Sequence, residues 1–504
     1  MKEYNGVNDV GRQVLPEPWM SKAVGAASTA DARRLVFPVL QPTGSRRLLQ
    51  AGFLEACTKK QIFRTERQGC RMELIIYRGT HEIGGTMIEL KTRGTRILLD
   101  AGYPLYYKGE IIDESWVKKP AKELLELGVI PQVKGLYQWD QPKFDAVILS
   151  HAHSDHYGLL KYIHPKIPVY LTEAAETLIS LSLSFPIPKF RMENTMIFYM
   201  EKPFQIGDFF LKPYLMDHSA FDAAAFEIRA EGKTLIYSAD FRNHGWKGYC
   251  LENFLQKAPK YADLLLVEGT NIGRKSESLP SESDVQQKVE AILKDSEGIV
   301  LFQASTQNVD RMISFYQAAE AQGKFLVVDV YVANLLSQLT RPNYRLPVPG
   351  GRYRAMKVFY PFPLGRLWQT KGREILCSFL PFIRSRISMR KISKKQKCIV
   401  MMVRPSMLSD LKKIELDPGD FIYSMWQAYR GKGSQVRFEK YLSSLGFQSH
   451  LAHTSGHASE AAIKQVIAEL HPKRVIPIHT FHPEAFFAFS DKTEVFQDSW
   501  VIKV

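Results

Sequence analysis

Apolar runs of strand length separated by turn-forming clusters set in at Met72 and continue for most of the chain. Glu73-Leu-Ile-Ile-Tyr77, Met87-Ile-Glu-Leu90 and Thr95-Arg-Ile-Leu-Leu-Asp100 read as three successive strands. Together they predict the meander of a sandwich half, with Gly84-Gly85 as a tight turn. Phe144-Asp-Ala-Val-Ile-Leu-Ser150 predicts a buried strand that delivers His151 at its C-terminal end. Phe226 to Ala230 and Lys233 to Ser238 predict a hairpin through Glu231-Gly232, and its second strand leads to Asp240. From about 280 to 450 the texture changes. Helical periodicity at Ser283–Leu293 and Val309–Ala321 alternates with strands at Gly298–Phe302 and Lys324–Asp329, which predicts a parallel sheet covered by helices. Residues 1–71 sustain neither period. They mix Pro, Gly, Ser and the pairs Arg33-Arg34 and Arg46-Arg47, and are expected to be an appended or poorly ordered N-terminal extension.

Composition adds constraints. A chain of 504 residues has room for two or three domains, and 45% hydrophobic with 24% charged residues suits a globular protein. No apolar run approaches the ~18 residues of a membrane helix. Asp9, Arg12 and Glu17 interrupt any signal-peptide centre, so a cytoplasmic location is expected. The five cysteines are scattered without a CxxC pair, which argues against a disulfide framework and a cysteine zinc site. A net charge of +15 points toward a polyanionic partner.

The strongest chemical signal is His151-Ala-His153-Ser-Asp155-His156 at the end of a buried strand. Imidazole and carboxylate suit zinc or manganese, and small residues at 152 and 154 let the backbone turn so that several side chains converge. The string resembles the metallo-β-lactamase superfamily, whose αββα sandwich the strand pattern would build. That resemblance implies further positions. Leu98-Leu-Asp100-Ala-Gly matches the upstream aspartate, Met216-Asp-His218-Ser219 the third-motif histidine, and Tyr237-Ser-Ala-Asp240 the bridging aspartate. By the resemblance His151, His153 and His218 would hold one metal, Asp155 and His156 the other, and Asp240 both. Asp100 would orient the His151 loop.

The last ligand selects a branch. His244 follows Asp240 too closely and reads as a loop residue, whereas Lys473-Arg-Val-Ile-Pro-Ile-His479 is a strand delivering a histidine. The long gap before His479 leaves room for an inserted domain, and this layout resembles the β-CASP nucleases. Asp263-Leu-Leu-Leu-Val-Glu268-Gly-Thr matches their acidic motif, and His453-Thr-Ser455-Gly-His457-Ala their histidine before a helix, which Ser459 would cap. The combination is most similar to the ribonuclease J type. It implies a sandwich domain at 72–275 and 451–504 and an inserted α/β domain at 276–450. Thr480-Phe481 departs from the Gly-Glu that usually follows the last histidine, and a C-terminal domain usual in that type has only about 25 residues of room here.

The activity expected from this resemblance is hydrolysis of RNA, exo- or endonucleolytic, with two zinc or manganese ions holding the attacking hydroxide. Asp155, His457 and Glu268 would be catalytic. His457 would protonate the leaving oxygen or bind the phosphate, and Glu268 would orient it. Substrate contacts are expected from His457, Ser455, Arg384 and Arg386. The two arginines begin a basic run, Arg384 to Lys397, that contains no acid. Tyr423-Ser-Met-Trp426-Gln-Ala-Tyr429-Arg430 offers aromatic rings for unpaired bases or for the core. His453 and His482 rival His457 and His479, whereas His164, His450 and His471 read as surface residues. The resemblance also implies RNA rather than DNA, held as a single strand, because DNA-processing β-CASP nucleases typically have an aliphatic residue where this chain has His479. Two rivals stand beside this reading: a small-molecule ester, lactone or thioester hydrolase on the same fold, and an inactive RNA-binding protein. Homo-oligomerisation is compatible with either.

Overall fold

The computed structural model describes residues 72–112, 116–185, 192–274, 279–341, 345–362, 376–431 and 433–504. The N-terminal extension expected at 1–71 lies outside the described residues.

Two sheets stack face to face because their strands alternate. In the first, Val501–Lys503, Glu73–Arg78, Met87–Lys91, Arg96–Leu99, Ala146–Ile148, Val169–Leu171 and Thr195–Ile197 lie side by side in that order. In the second the order is Val475–Ile478, Leu264–Glu268, Lys233–Tyr237, Ala223–Ala230, Phe209–Met216 and Phe204–Ile206. Leu74, Ile76, Ile88, Leu90, Ile97 and Leu99 point inward from the first sheet and meet Phe226, Ile228, Leu235, Leu264, Leu266 and Ile476 from the second. The residues between them point outward to helices. Leu98 and Val147 pack toward Leu178 and Ile179 of helix Glu173–Ser184. Ile236, Leu265 and Val267 pack toward helices Tyr249–Lys257 and Glu460–Leu470. The result is the layered αββα sandwich expected from the sequence.

The third sheet is built from strands that fall between Leu264–Glu268 and Val475–Ile478 in the chain, although those two strands are themselves neighbours. Its order is Met356–Phe359, Phe325–Asp329, Ile399–Met402, Val300–Ala304, Asp420–Ser424, Gln448–Leu451, and every pairing is parallel. Such a sheet needs both faces covered, which explains its near-continuous apolar strands. Helices Glu282–Asp295, Val309–Ala321 and Val330–Leu339 cover one face, and Phe438, Leu442, Ile392 and Leu411 the other.

Local expectations are met closely at Val309–Ala321 and at the hairpin, where Glu231 and Gly232 both take positive φ. Gly84-Gly85 is different. The strands it was expected to join tightly are separated by an eight-residue loop, residues 79–86, that runs into the sandwich's open end. The glycines there permit close approach rather than a hairpin. A Cβ on Gly84 would meet Leu105 at 2.6 Å and the Asp155 side chain at 3.1 Å.

Candidate metal centre

The candidate site lies where strands of both sheets end. His151 follows Ala146–Ile148, and the chain then turns into the short helix Ser154–Tyr157, which brings Asp155 and His156 back toward it. His218 follows Phe209–Met216, Asp240 follows Lys233–Tyr237, and His479 follows Val475–Ile478. Asp100, Ala239 and His479 all have φ near +50°. For non-glycine residues that costs on the order of 1 kcal/mol each, strain of the kind that accumulates where side chains must be aimed.

Three groups of ligand atoms gather here, each within 4.8 Å: His151, His153 and His218; Asp155, His156, Asp240 and His479; and Asp240, Glu268, His457 and His479. Asp240 lies between the first two. Its Oδ2 is 3.0 Å from His156 Nε2, 3.7 Å from His479 Nε2 and 3.9 Å from His151 Nε2. His218 Nδ1 donates to the Gly456 carbonyl at 2.6 Å, so its Nε2 keeps a lone pair, and this faces His153 Nδ1 at 3.1 Å. Among the described residues His151 Nε2 is buried without a hydrogen-bond partner. Buried lone pairs converging in this way fit a divalent cation.

The protonation states fit as well. Burial, reinforced by neighbouring histidines, holds His151 and His218 well below the ordinary histidine range and puts His153 at about 4. Burial raises the Asp155 carboxyl, but the hydrogen bond from His479 and the charge of His156 outweigh it and hold it at about 2. Neutral imidazoles and ionised carboxylates are the metal-binding forms, so these four side chains are ready, whereas burial of His156 is outweighed by Asp240 and Asp100, which hold it protonated, and a metal would have to displace that proton.

Supporting groups fix these orientations. Asp100 accepts from Ser150 N, Ser150 Oγ, His156 Nδ1 and the Tyr237 hydroxyl. His479 Nδ1 bonds Thr270 Oγ1 at 2.8 Å. Glu268 is fully buried and accepts from the backbone N–H groups of Phe241, Thr270 and Ala458, so it pins three segments at once. His457 Nδ1 lies 3.4 Å from Glu268 and 3.1 Å from Thr270 Oγ1, and its ring is the one partly exposed member of its group. Burial opposes its protonation, but Glu268 and Asp240 outweigh burial and raise it above the ordinary range.

The structure thus brings together His151, His153, Asp155, His156, His218, Asp240, Glu268, His457 and His479. His453 and His482 belong to none of the three ligand groups among the described residues. His453 lies beside Arg311, and burial and that charge put it at about 4. His244 belongs to none of these groups among the described residues; its Nε2 bonds the Ser455 carbonyl at 3.0 Å. Thr270, Asn271 and Tyr237 were not singled out from the sequence. Asn271 Nδ2 donates to Ser455 Oγ and to the carbonyls of His457 and Ala458, which shapes the His457 loop. Thr270 and Asn271 follow Glu268 almost directly, and that adjacency was the available signal.

The cluster forms the floor of a cleft of about 1200 Å³ between the sandwich and the third sheet. His153, Asp155, Ser455 and His457 line it, as do Tyr106, Arg274, Trp426 and Tyr429. Trp426 meets Tyr429 and Tyr106 edge-on at centroid distances of 5.2 and 6.4 Å, and the Arg274 guanidinium sits 5.9 Å from the Trp426 ring. Tyr423, from the same aromatic run, is instead buried in the third-sheet core. Arg384 and Arg386 do not reach this cleft. They line a separate pocket at the far edge of the third sheet.

Residues 95–321 match the β-lactamase superfamily domain. The sandwich and the ligand pattern agree with this match, so the chain carries a domain similar to those of the metallo-β-lactamase superfamily. Over most of its length the chain is similar to ribonuclease J. It is 24% identical over 429 residues to ribonuclease J of Helicobacter pylori (strain B128), covering 80% of this chain and 55% of that protein. It is 23% identical over 369 residues to ribonuclease J of Sinorhizobium meliloti, covering 70% and 60%. The chain therefore spans little more than half the length of these curated relatives. A solved structure of a protein of unknown function from Enterococcus faecalis V583 shares the fold, with a TM-score of 0.69 at 19% identity, and covers 86% of this chain and all of that one. Among the described residues no helix is long and apolar enough to cross a membrane.

Proposed function

We propose that the chain is a metal-dependent phosphodiesterase that cleaves RNA held as a single strand. In this reading residues 72–275 and 451–504 form the metal-holding domain, 276–450 form an inserted β-CASP domain, and 1–71 are appended. The observation that carries it is the joint placement of the His/Asp cluster, His457 and an aromatic wall in one cleft. A small ester or lactone needs no such length of lined surface, whereas a polynucleotide uses phosphate, base and leaving-group contacts together. The resemblance to ribonuclease J supports the same substrate.

Two ions, zinc or manganese, are expected: one on His151, His153 and His218, the other on Asp155, His156 and His479, with Asp240 shared. Bound there, they would supply an activated water and neutralise charge on the phosphodiester. The chain's own residues supply the rest. Thr270 and Glu268 hold His457 by Nδ1, and Nε2 has no protein partner among the described residues, so a protonated His457 is aimed to give a proton to the leaving oxygen. Ser455, whose Oγ accepts from the His457 backbone N–H, keeps the loop in place beside the scissile phosphate. Trp426, Tyr429 and Tyr106 would stack unpaired bases.

The test is a side-by-side time course on matched single-stranded RNA, single-stranded DNA and duplex DNA with manganese or zinc. RNA should be cut fastest. Equal or faster cutting of either DNA overturns the substrate assignment. No cutting of any of them, with metal bound and a generic ester turned over, establishes a small-molecule hydrolase instead.

A further inference from the structure

At the far edge of the third sheet is a second concavity, of about 80 Å³, lined by Lys357, Arg384, Arg386, Lys391 and Lys395 over a floor of Phe325, Ile387 and Ile399. Phe325 and Ile399 open their strands and Lys357 is second in its own, so this pocket sits at the N-terminal ends of the parallel strands. The cleft draws on Ser305, Gln307, Ser424 and Trp426, which follow or close strands Val300–Ala304 and Asp420–Ser424 at their C-terminal ends. The two therefore face opposite ends of the sheet.

The cations converge for local reasons. Arg386 bridges to Val358 and the Ile387 N–H donates to the Val358 carbonyl at 2.9 Å, which lays this segment alongside Met356–Phe359. Ser388 then caps helix Met389–Lys394 by accepting from Lys391 N. Lys391 and Lys395 are four residues apart and so share one side of that turn. Among the described residues no carboxylate oxygen lies within 4.0 Å of a charged nitrogen of these five side chains, of which Lys357 is half-buried and the other four are exposed at the pocket's rim. Lys357 has its Nζ 5.4 Å from the Phe325 ring, and burial together with the charge of Lys391 makes it a weaker base than usual. Five like charges around an apolar floor repel one another, and the low-dielectric floor strengthens both that repulsion and the attraction to an anion that relieves it.

We propose that this pocket binds a phosphoryl group. Its volume equals that of about two to three waters, enough for one tetrahedral anion and too little for a nucleobase. Two guanidinium groups supply the fork geometry that phosphate oxygens accept. The phosphoryl group is either a free phosphate or a backbone phosphate of RNA whose remainder runs elsewhere. The site does not depend on the reading of the metal cluster.

The experiment is lysine acetylation footprinting of the full chain, read by mass spectrometry, in buffer, in inorganic phosphate and with a single-stranded oligoribonucleotide. Lys357, Lys391 and Lys395 should be labelled several-fold more slowly with ligand, while the exposed Lys143 keeps its rate. Protection by phosphate alone identifies a free anion as sufficient. Protection by the oligoribonucleotide only identifies the strand. No protection in either arm overturns the proposal, whatever the enzyme's activity. The K391E/K395E variant should lose the protection of Lys357, and in the RNA arm its binding should lose about 1.4 from the salt slope, at about 0.7 per contact. Protection of Lys357 that persists in a folded variant also overturns it.

Discussion

Two buried clusters of charge lie within a few residues of each other in this molecule, and they are finished differently. Asp217 and Arg242 belong to one; His218 and Asp240, one and two residues away in the chain, belong to the other. In the first, Arg242 and Arg311 are wholly buried, and each of their nitrogens reaches an oxygen. Arg242 pairs with Asp217, Glu282 and Asp310 at 3.3, 3.2 and 2.7 Å, Arg311 takes Glu282 in a two-pronged grip at 3.0 Å, and Lys247 completes the balance on Asp310. In the second, His151 Nε2 has no hydrogen-bond partner among the described residues and the lone pairs of neighbouring imidazoles face one another. A closed cluster is architecture, and here it ties the sandwich to helices Glu282–Asp295 and Val309–Ala321 of the third sheet. An open one asks for something from outside the chain.

Mutations should separate the two. The largest effect is expected from Asp240→Ala, which removes the oxygen central to the open cluster. RNA cleavage should fall at least ~10³-fold on a scale of several kcal/mol of charge stabilisation, and elemental analysis should show metal lost from an otherwise folded chain. Unchanged metal content would show that Asp240 is no ligand. Next, His457→Ala should lower turnover about 10²–10⁴-fold, the usual range for a proton donor, with metal retained, while His479→Ala should lose metal too. If His457→Ala empties a site, the two roles are reversed. In the closed cluster, Glu282→Ala leaves two arginines facing each other without their shared carboxylate, and urea unfolding should show a loss of about 3–5 kcal/mol.

The same carboxylate carries a pH signature. Burial raises the Glu282 carboxyl, but Arg311 and Arg242 outweigh burial and hold it at about 2 in the folded chain, below its ordinary unfolded value of about 4.3. Its stabilisation is complete above about pH 5 and disappears as pH falls through 4 toward 2, because the unfolded chain takes the proton first. The loss is about 3 kcal/mol, so melting temperature measured from pH 6 to 3 should drop less in Glu282→Gln than in the parent. The smallest effect is expected from Tyr237→Phe, which removes one of four donors to Asp100. Metal affinity, titrated against a chelator, should weaken about tenfold with the fold intact, the low end for a group that orients a ligand.

Much of the open cluster was legible because its residues are either contiguous, as in His151 to His156, or placed at the ends of strands that announce themselves by apolar runs. The closed cluster left no such trace. Arg242 meets Glu282, Asp310 and the Ser455 carbonyl across 40, 68 and 213 residues of chain, and only the tertiary fold makes those pairs. Positive charge misled in direction rather than in existence. The run from Arg384 is a surface concentration of cations, but periodicity cannot say which end of a parallel sheet it will occupy. Gly84-Gly85 has the same dipeptide signal whether it turns a hairpin or lets Asp155 come close, so the choice between them also required the fold.

The adjacency of Leu264–Glu268 and Val475–Ile478 has a consequence for how the protein is made. Roughly 200 residues separate these neighbours in the chain. A ribosome adding roughly 5–20 residues per second leaves the earlier strand with an open edge for roughly 10–40 s, and an apolar edge without a partner invites pairing with other chains. During that interval the strands of the third sheet, all of which lie within the gap, are made before the sandwich sheet can close. His479 arrives last. A ligand shell that closes only when Val475–Ile478 docks makes metal uptake wait on that strand, and chains stalled before it would be left without it.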